Sequence, residues 1–177
     1  MSSVAKKEHT LIDGGKSFRS SIDELEKNIL SMEGAESGDA SFCPLKHTFS
    51  DGIYVREIFI PAGTMLTGKI HKHQHPNFLM SGEVVVVTEE GGEEHLVGPM
   101  SIMSPPGTKR ALHALTDLVW ITVHHNPENY QDLESLENVV IADTFEDYEL
   151  FLESEKSKKI EKPKSLIRKL INFVGGL

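Results

Sequence analysis

Three histidines, His71, His73 and His75, stand at alternate positions directly before Pro76. Successive side chains of a β-strand point to opposite faces, so the three imidazoles would line one face while Lys72 and Gln74 take the other. Imidazole is the commonest protein ligand for transition metals and the usual proton carrier near neutral pH. The pattern predicts a metal site built from His71, His73 and His75; the plainer alternative is a polar, hydrated strand end. Catalytic metal sites usually take three protein ligands and leave one position open. The expected occupant is a divalent transition metal: Zn, Ni, Fe or Mn.

The remaining candidates carry less chemistry. His124 and His125 close the run LVWITVHH and point to opposite faces, with His124 on the face of Trp120. Strand-end packing is their expected role. His47 and His95 receive no assignment. Cys43 has no adjacent histidine or helix N-terminus to lower its thiol pKa, so it is not read as a nucleophile. As the single cysteine it forms no intrachain disulfide, which suits a reducing compartment.

The elements that must position these residues are legible as a change of pattern along the chain. Residues 1–40 read as a polar arm and a short helix over 22–32, with Ser21 and Glu24 as a capping box and Ile22, Leu25, Ile29 and Met32 as its stripe. Residues 41–127 are short β-rich runs such as YVREIFI, VVVV and LVWITVHH. Turn residues punctuate them at Ser50-Asp51-Gly52, Pro61-Ala62-Gly63, Ser81-Gly82 and Pro105-Pro106-Gly107, and Gly91-Gly92 reads as a hairpin. Short strands at this spacing predict a sandwich or small barrel. Residues 128–177 turn helical, acidic first and then basic. The run SEKSKKIEKPK is expected as a linker into an amphipathic segment bearing Leu166, Ile167, Leu170, Ile171 and Val174.

Composition narrows the partners. The chain has 177 residues, enough for one domain with extensions, and a net charge of -9 that would repel nucleic-acid phosphates. No apolar run reaches the ~20 residues that span a bilayer. The first residues hold no hydrophobic stretch, so no secretory leader is expected.

The central region, roughly residues 45–126, resembles the cupin superfamily. Gly63 and Gly82 fall on the two glycines of its first motif, His71 on the second histidine and His75 on the glutamate, while Lys69 takes the first histidine slot. Pro105-Pro106-Gly107-Thr108-Lys109-Arg110 approaches the second motif, with Arg110 in the histidine slot. Ala114 stands where the family has asparagine, and Gly98 lies one residue too far upstream. The resemblance implies a mainly β, cupin-type double-stranded β-helix (jelly-roll) barrel, with a short N-terminal helix and a C-terminal helical extension. The phrases CPLKHTFSDGIYVREI, PAGTMLTGKIHKH and SPPGTKR look most like small cupin-like proteins encoded by bacteriophages.

Two functions follow from the resemblance. One, favoured by the loss of most of the family's ligand residues, is a binding or assembly module rather than an enzyme, a homo-oligomer or a partner of other virion proteins, located in the host cytoplasm or the virion. The long extensions agree with it. The other is a small cupin enzyme, either metal-dependent or of the sugar-epimerase type acting on an anionic substrate. Lys69 and Arg110 are poor metal ligands because both carry a proton and a charge. Turned inward beside His71, they would instead bind a carboxylate or phosphate. Alternatively Lys109 and Arg110 form a solvated turn. Tyr54 is a conceivable acid. His113, three residues from Arg110, faces the other way.

Overall fold

The computed structural model describes residues 17–37 and 39–174, with side chains as far as residue 159. Chain order is α1 (Phe18–Leu30), β1 (Leu45–Ser50), β2 (Gly52–Ile60), β3 (Met65–Thr67), β4 (Ile70–His71), β5 (His75–Ser81) and β6 (Glu83–Thr88). It continues with β7 (Gly92–Val97), β8 (Met100–Ser104), β9 (Arg110–Ala114), β10 (Leu118–Asn126), α2 (Leu133–Val140), β11 (Ile141–Ala142) and α3 (Phe145–Val174).

One sheet has the order β1-β2-β10-β5-β8 and the other β3-β9-β6-β7. After the first hairpin the chain crosses between them repeatedly, at β2 to β3, β5 to β6 and from β7 through β10. After β1 and β2, only β6 and β7 among the described strands follow one another within a sheet, as the Gly91-Gly92 hairpin with Thr88 opposite Gly92. Every ladder is antiparallel. That order is a jelly roll. The fold is therefore mainly β, with the cupin-type double-stranded β-helix architecture and the helical flanks expected from the sequence.

Strand alternation divides the interior into two levels. Leu118, Trp120, Thr122, His124 and Asn126 of β10 all point inward and are buried. Register sets Trp120 beside Leu79 and Ile58, Thr122 beside Asn77 and Arg56, and His124 beside Tyr54. One end of the barrel is thus apolar, with Cys43, Ile60, Leu79, Val84, Val86, Leu112 and Leu118 in one cluster. The other end is polar. Gly82, between β5 and β6, has φ +91, and a Cβ there would lie 2.4 Å from the Asp117 carbonyl. No other residue type fits that turn without displacing backbone.

The flanking elements close the polar end and one sheet face. α2 packs Leu136 and Val140 against Tyr54. β11 pairs with β4, Ile141 opposite His71, so the C-terminal extension contributes a strand as well as helices. α1 sets Phe18 and Ile22 against Ala111.

Three local expectations need correction. α1 starts a turn earlier than expected, capped by Ser17, whose Oγ accepts from the Ser20 N–H at 3.3 Å, and Ser21 lies inside it. The buried stripe begins at Phe18, one turn before Ile22. The expected linker at 154–164 is helical, because α3 runs through it. Its Glu and Lys residues are good helix formers, and Lys158 pairs with Glu155 at 2.7 Å. Lys109 and Arg110 do not form a solvated turn: Lys109 is buried between Asp23 at 3.0 Å and Glu26 at 2.8 Å of α1, and Arg110 opens β9 facing inward. The arm over residues 1–16 and the side chains of Leu166, Ile167, Leu170, Ile171 and Val174 lie outside the described residues.

Candidate metal centre and ligand cavity

The polar end of the barrel gathers three histidines. His71, His75 and His124 each offer a ring nitrogen, and these atoms all lie within 4.8 Å of one another. Ring centroids are 4.2 Å apart for His71 and His75, 4.9 Å for His75 and His124, and 5.0 Å for His71 and His124. Three elements supply them: the neighbouring strands β4 and β5, through the last residue of one and the first of the other, and the distant end of β10.

Each ring is held from outside the cluster. His71 is fixed through its backbone, whose carbonyl accepts from Gly107 N–H at 2.7 Å while β11 pairs alongside. His75 donates Nδ1–H to the carbonyl of His73 at 3.0 Å. His124 stacks on Tyr54 with centroids 5.9 Å apart, and the Tyr54 hydroxyl lies 2.7 Å from His47 Nδ1.

Buried polar atoms are nearly always hydrogen-bonded, so exceptions need a reason. Among the described residues, His71 Nδ1 and His75 Nε2 are such exceptions, buried with no hydrogen-bond partner. Burial is the largest cause that lowers the pKa of all three rings. His71 is driven well below its ordinary value, with His75 and His124 adding repulsion, and His124 falls to about 3. His75 is lowered too, although its bond to the His73 carbonyl acts the other way. Neutral imidazoles with unpaired lone pairs, close together and buried, fit a transition-metal ion. Such an all-nitrogen set suits Zn, Ni, Fe or Mn better than calcium or magnesium, which prefer oxygen.

The structure brings together two of the three histidines expected from the sequence and replaces the third. His73 is outside the group; its ring meets Phe151 edge-on at 5.3 Å. The reason is that β4 ends at His71 and β5 begins at His75, so alternation does not carry across residues 72–74. His124, expected only to pack at a strand end, takes the third place. The alternation of β10 from Trp120 already set it inward.

Beneath the histidines lies a hydrogen-bonded layer in which Arg110, expected from the sequence as a ligand-binding residue, joins Asn77, Ser104 and Thr122, which the sequence did not single out. Asn77 Nδ2 donates to Ser104 Oγ at 2.8 Å, and its Oδ1 accepts from Trp120 Nε1 and Thr122 Oγ1, both at 3.0 Å. Arg110 Nη2 donates to the same Ser104 hydroxyl. This layer and the histidines border a cavity of about 620 Å³, lined by Tyr54, Arg56, His71, Asn77, Arg110, Trp120, Thr122 and His124 among others. That volume is in the range of small-molecule sites. Lys69 also borders it, half exposed and paired with Glu137 at 2.8 Å, so its charge is already matched at the rim. Among the described residues no helix is long and apolar enough to cross a membrane.

No family model and no curated protein matches the sequence. Solved structures do. The chain is similar to a cupin superfamily protein from Desulfitobacterium hafniense at 12% identity, over 51% of this chain and 84% of that one, with a TM-score of 0.42. It is also similar to KdgF from Halomonas sp. (15% identity, 52% and 89% covered, TM-score 0.42) and to ectoine synthase from P. lautus (15%, 56% and 74%, TM-score 0.44). Likeness this distant carries no chemistry across, and the three histidines at the polar end of the jelly roll stand on their own geometry.

Proposed function

We propose that this protein is a metal-binding barrel in which His71, His75 and His124 hold one divalent transition metal at the inner end of a small-molecule cavity. The observation that carries the reading is the pair of buried, unpartnered ring nitrogens within a cluster of three imidazoles. A bound cation would supply Lewis acidity toward an oxygen atom of a molecule in the cavity. The chain's own residues orient the rings, exclude water on the apolar side and present Arg110 and Arg56 to the occupant. This favours the ligand-binding or enzymatic reading of the cavity. The test is metal analysis of protein purified without a histidine tag, with melting followed in chelator. Near-stoichiometric metal and a chelator-dependent fall in Tm are expected. Metal-free protein that takes up no zinc or nickel on addition would overturn the reading.

Assembly, between copies or onto virion proteins as the phage resemblance implies, is a second reading with its own observation. On the outer face of the β2-β10-β5 sheet, Val119 faces Phe59, and Ile121 faces Phe78 and Glu57. Phe59, Phe78 and Met80 are 37%, 36% and 49% exposed, and none belongs to a described hydrophobic cluster. Apolar sheet faces of this kind commonly mark interfaces. Light scattering on the unaltered protein and on Phe78→Lys tests it: an oligomer that dissociates on substitution supports assembly, and a monomer in both contradicts it.

A further inference from the structure

We propose that the cavity binds a small organic carboxylate, its charge held by Arg110 and its hydrocarbon part lying against Trp120. This rests on reading the cavity as a ligand site, and it specifies what enters.

Arg110 is a cation without an acid. Its guanidinium lies 5.4 Å from the centre of the Trp120 ring, and one donor is used on Ser104. A guanidinium has five donors. Among the described residues no carboxylate pairs with it. Lys109, one residue earlier, contrasts with it, being matched by both Asp23 and Glu26. Burial lowers the Arg110 pKa to about 10, which still leaves it charged at neutral pH. Arg110 is partly buried, and a partly desolvated charge with no counter-ion carries a cost that an incoming anion removes.

Location and lining choose the class of anion. Ser104 is the strand partner of His75, so the Arg110 tip sits beside the histidine cluster. No strand residue lining the cavity is acidic; its carboxylates belong to α1, α2 and the connection after α1, toward the rim. Arg56 adds a second inward cation, paired only at 3.5 Å with the half-exposed Asp39. Ile58, Leu112 and Trp120 form an apolar wall. A planar guanidinium can hold a carboxylate through two parallel bonds, and the apolar wall beside it favours an anion that carries a hydrocarbon part over inorganic phosphate. A smaller cavity of about 320 Å³ also borders Arg110, but Glu89, Glu90 and Glu94 line it and would repel an anion.

Trp120 is the single tryptophan, so its fluorescence reports the site directly. Chelator-stripped protein is titrated with hexanoate, with 1-hexanol and with inorganic phosphate, and metal content is measured on the same sample before stripping. A saturable change with hexanoate alone is expected. Arg110→Met should weaken it roughly tenfold or more, from loss of a charge-assisted pair, and Arg56→Gln should weaken it about threefold. An equal response to hexanol, saturation by phosphate alone, no response to hexanoate, or an undiminished response in Arg110→Met would each overturn the proposal. If Arg110→Met does not fold, the comparison of hexanoate with hexanol in the unaltered protein decides. Because the titration uses stripped protein, its failure leaves the metal reading standing, and absence of metal leaves the carboxylate reading standing.

Discussion

His75 gives its Nδ1–H to the carbonyl of His73 at 3.0 Å, and this one bond sets the chemistry of the His75 ring. A carbonyl only accepts, so Nδ1 carries the proton and Nε2 keeps its lone pair. That Nε2 is buried with no hydrogen-bond partner. His73 thus serves the cluster through its backbone while its ring packs on Phe151. Nitrogen NMR of metal-free protein at neutral pH should find His75 protonated at Nδ1 alone. A ring protonated at Nε2, or at both nitrogens, contradicts the arrangement.

Acid should destabilise the metal-free protein more than surface histidines would. Burial lowers the folded-state pKa of all three rings below 6.5, so the unfolded chain takes up protons before the folded one does. Stability is then greatest above about pH 6.5 and falls as the pH drops toward the folded values. For His124, with a folded pKa of about 3, the loss between pH 7.5 and pH 5 is about 2 kcal/mol. Urea midpoints across that range should show the decline, with a smaller slope in His124→Phe. A flat profile would mean that the rings titrate in the folded protein as they do in the unfolded chain, and would contradict their burial in neutral form.

Asn77 holds the layer under the histidines, and its loss should be felt well beyond its size. It is 1% exposed and ties together Ser104, Trp120 and Thr122. Asn77→Ala leaves several buried polar groups without partners, a cost of about 2–4 kcal/mol. Thermal or urea denaturation measures it. A change under about 0.5 kcal/mol, typical of surface positions, would show that the network is not stabilising.

What the sequence made legible follows the range of each physical signal. Alternation, turn glycines and the hairpin are local, and they led to the barrel and to the inward face of β10. The cupin resemblance set His71 and His75 on ligand slots, and both belong to the cluster. Alternation places His73 with His71 and His75 only if one strand runs through all three, and the chain bends at residues 72–73. His124 comes from a strand paired only through the folded sheet, so no local spacing tied it to His71. Lys109 and Arg110 look alike in sequence, and only the position of α1 separates the paired cation from the unpaired one. The run at 154–164, expected as a linker, is rich in Glu and Lys, which favour helix, and α3 continues through it.

The account turns on which three side chains share a metal, and affinity for zinc or nickel across single substitutions tests this most directly. Competition with a chelating dye on tag-free protein should show one tight site, weakened at least ~100-fold in His124→Ala and in His75→Ala, since each removes one of three ligands. His73→Ala should bind within about threefold of the unaltered protein, because its backbone carbonyl remains. Unchanged affinity in His124→Ala, or loss of the site in His73→Ala with the fold intact, would contradict the cluster of His71, His75 and His124 as the metal centre.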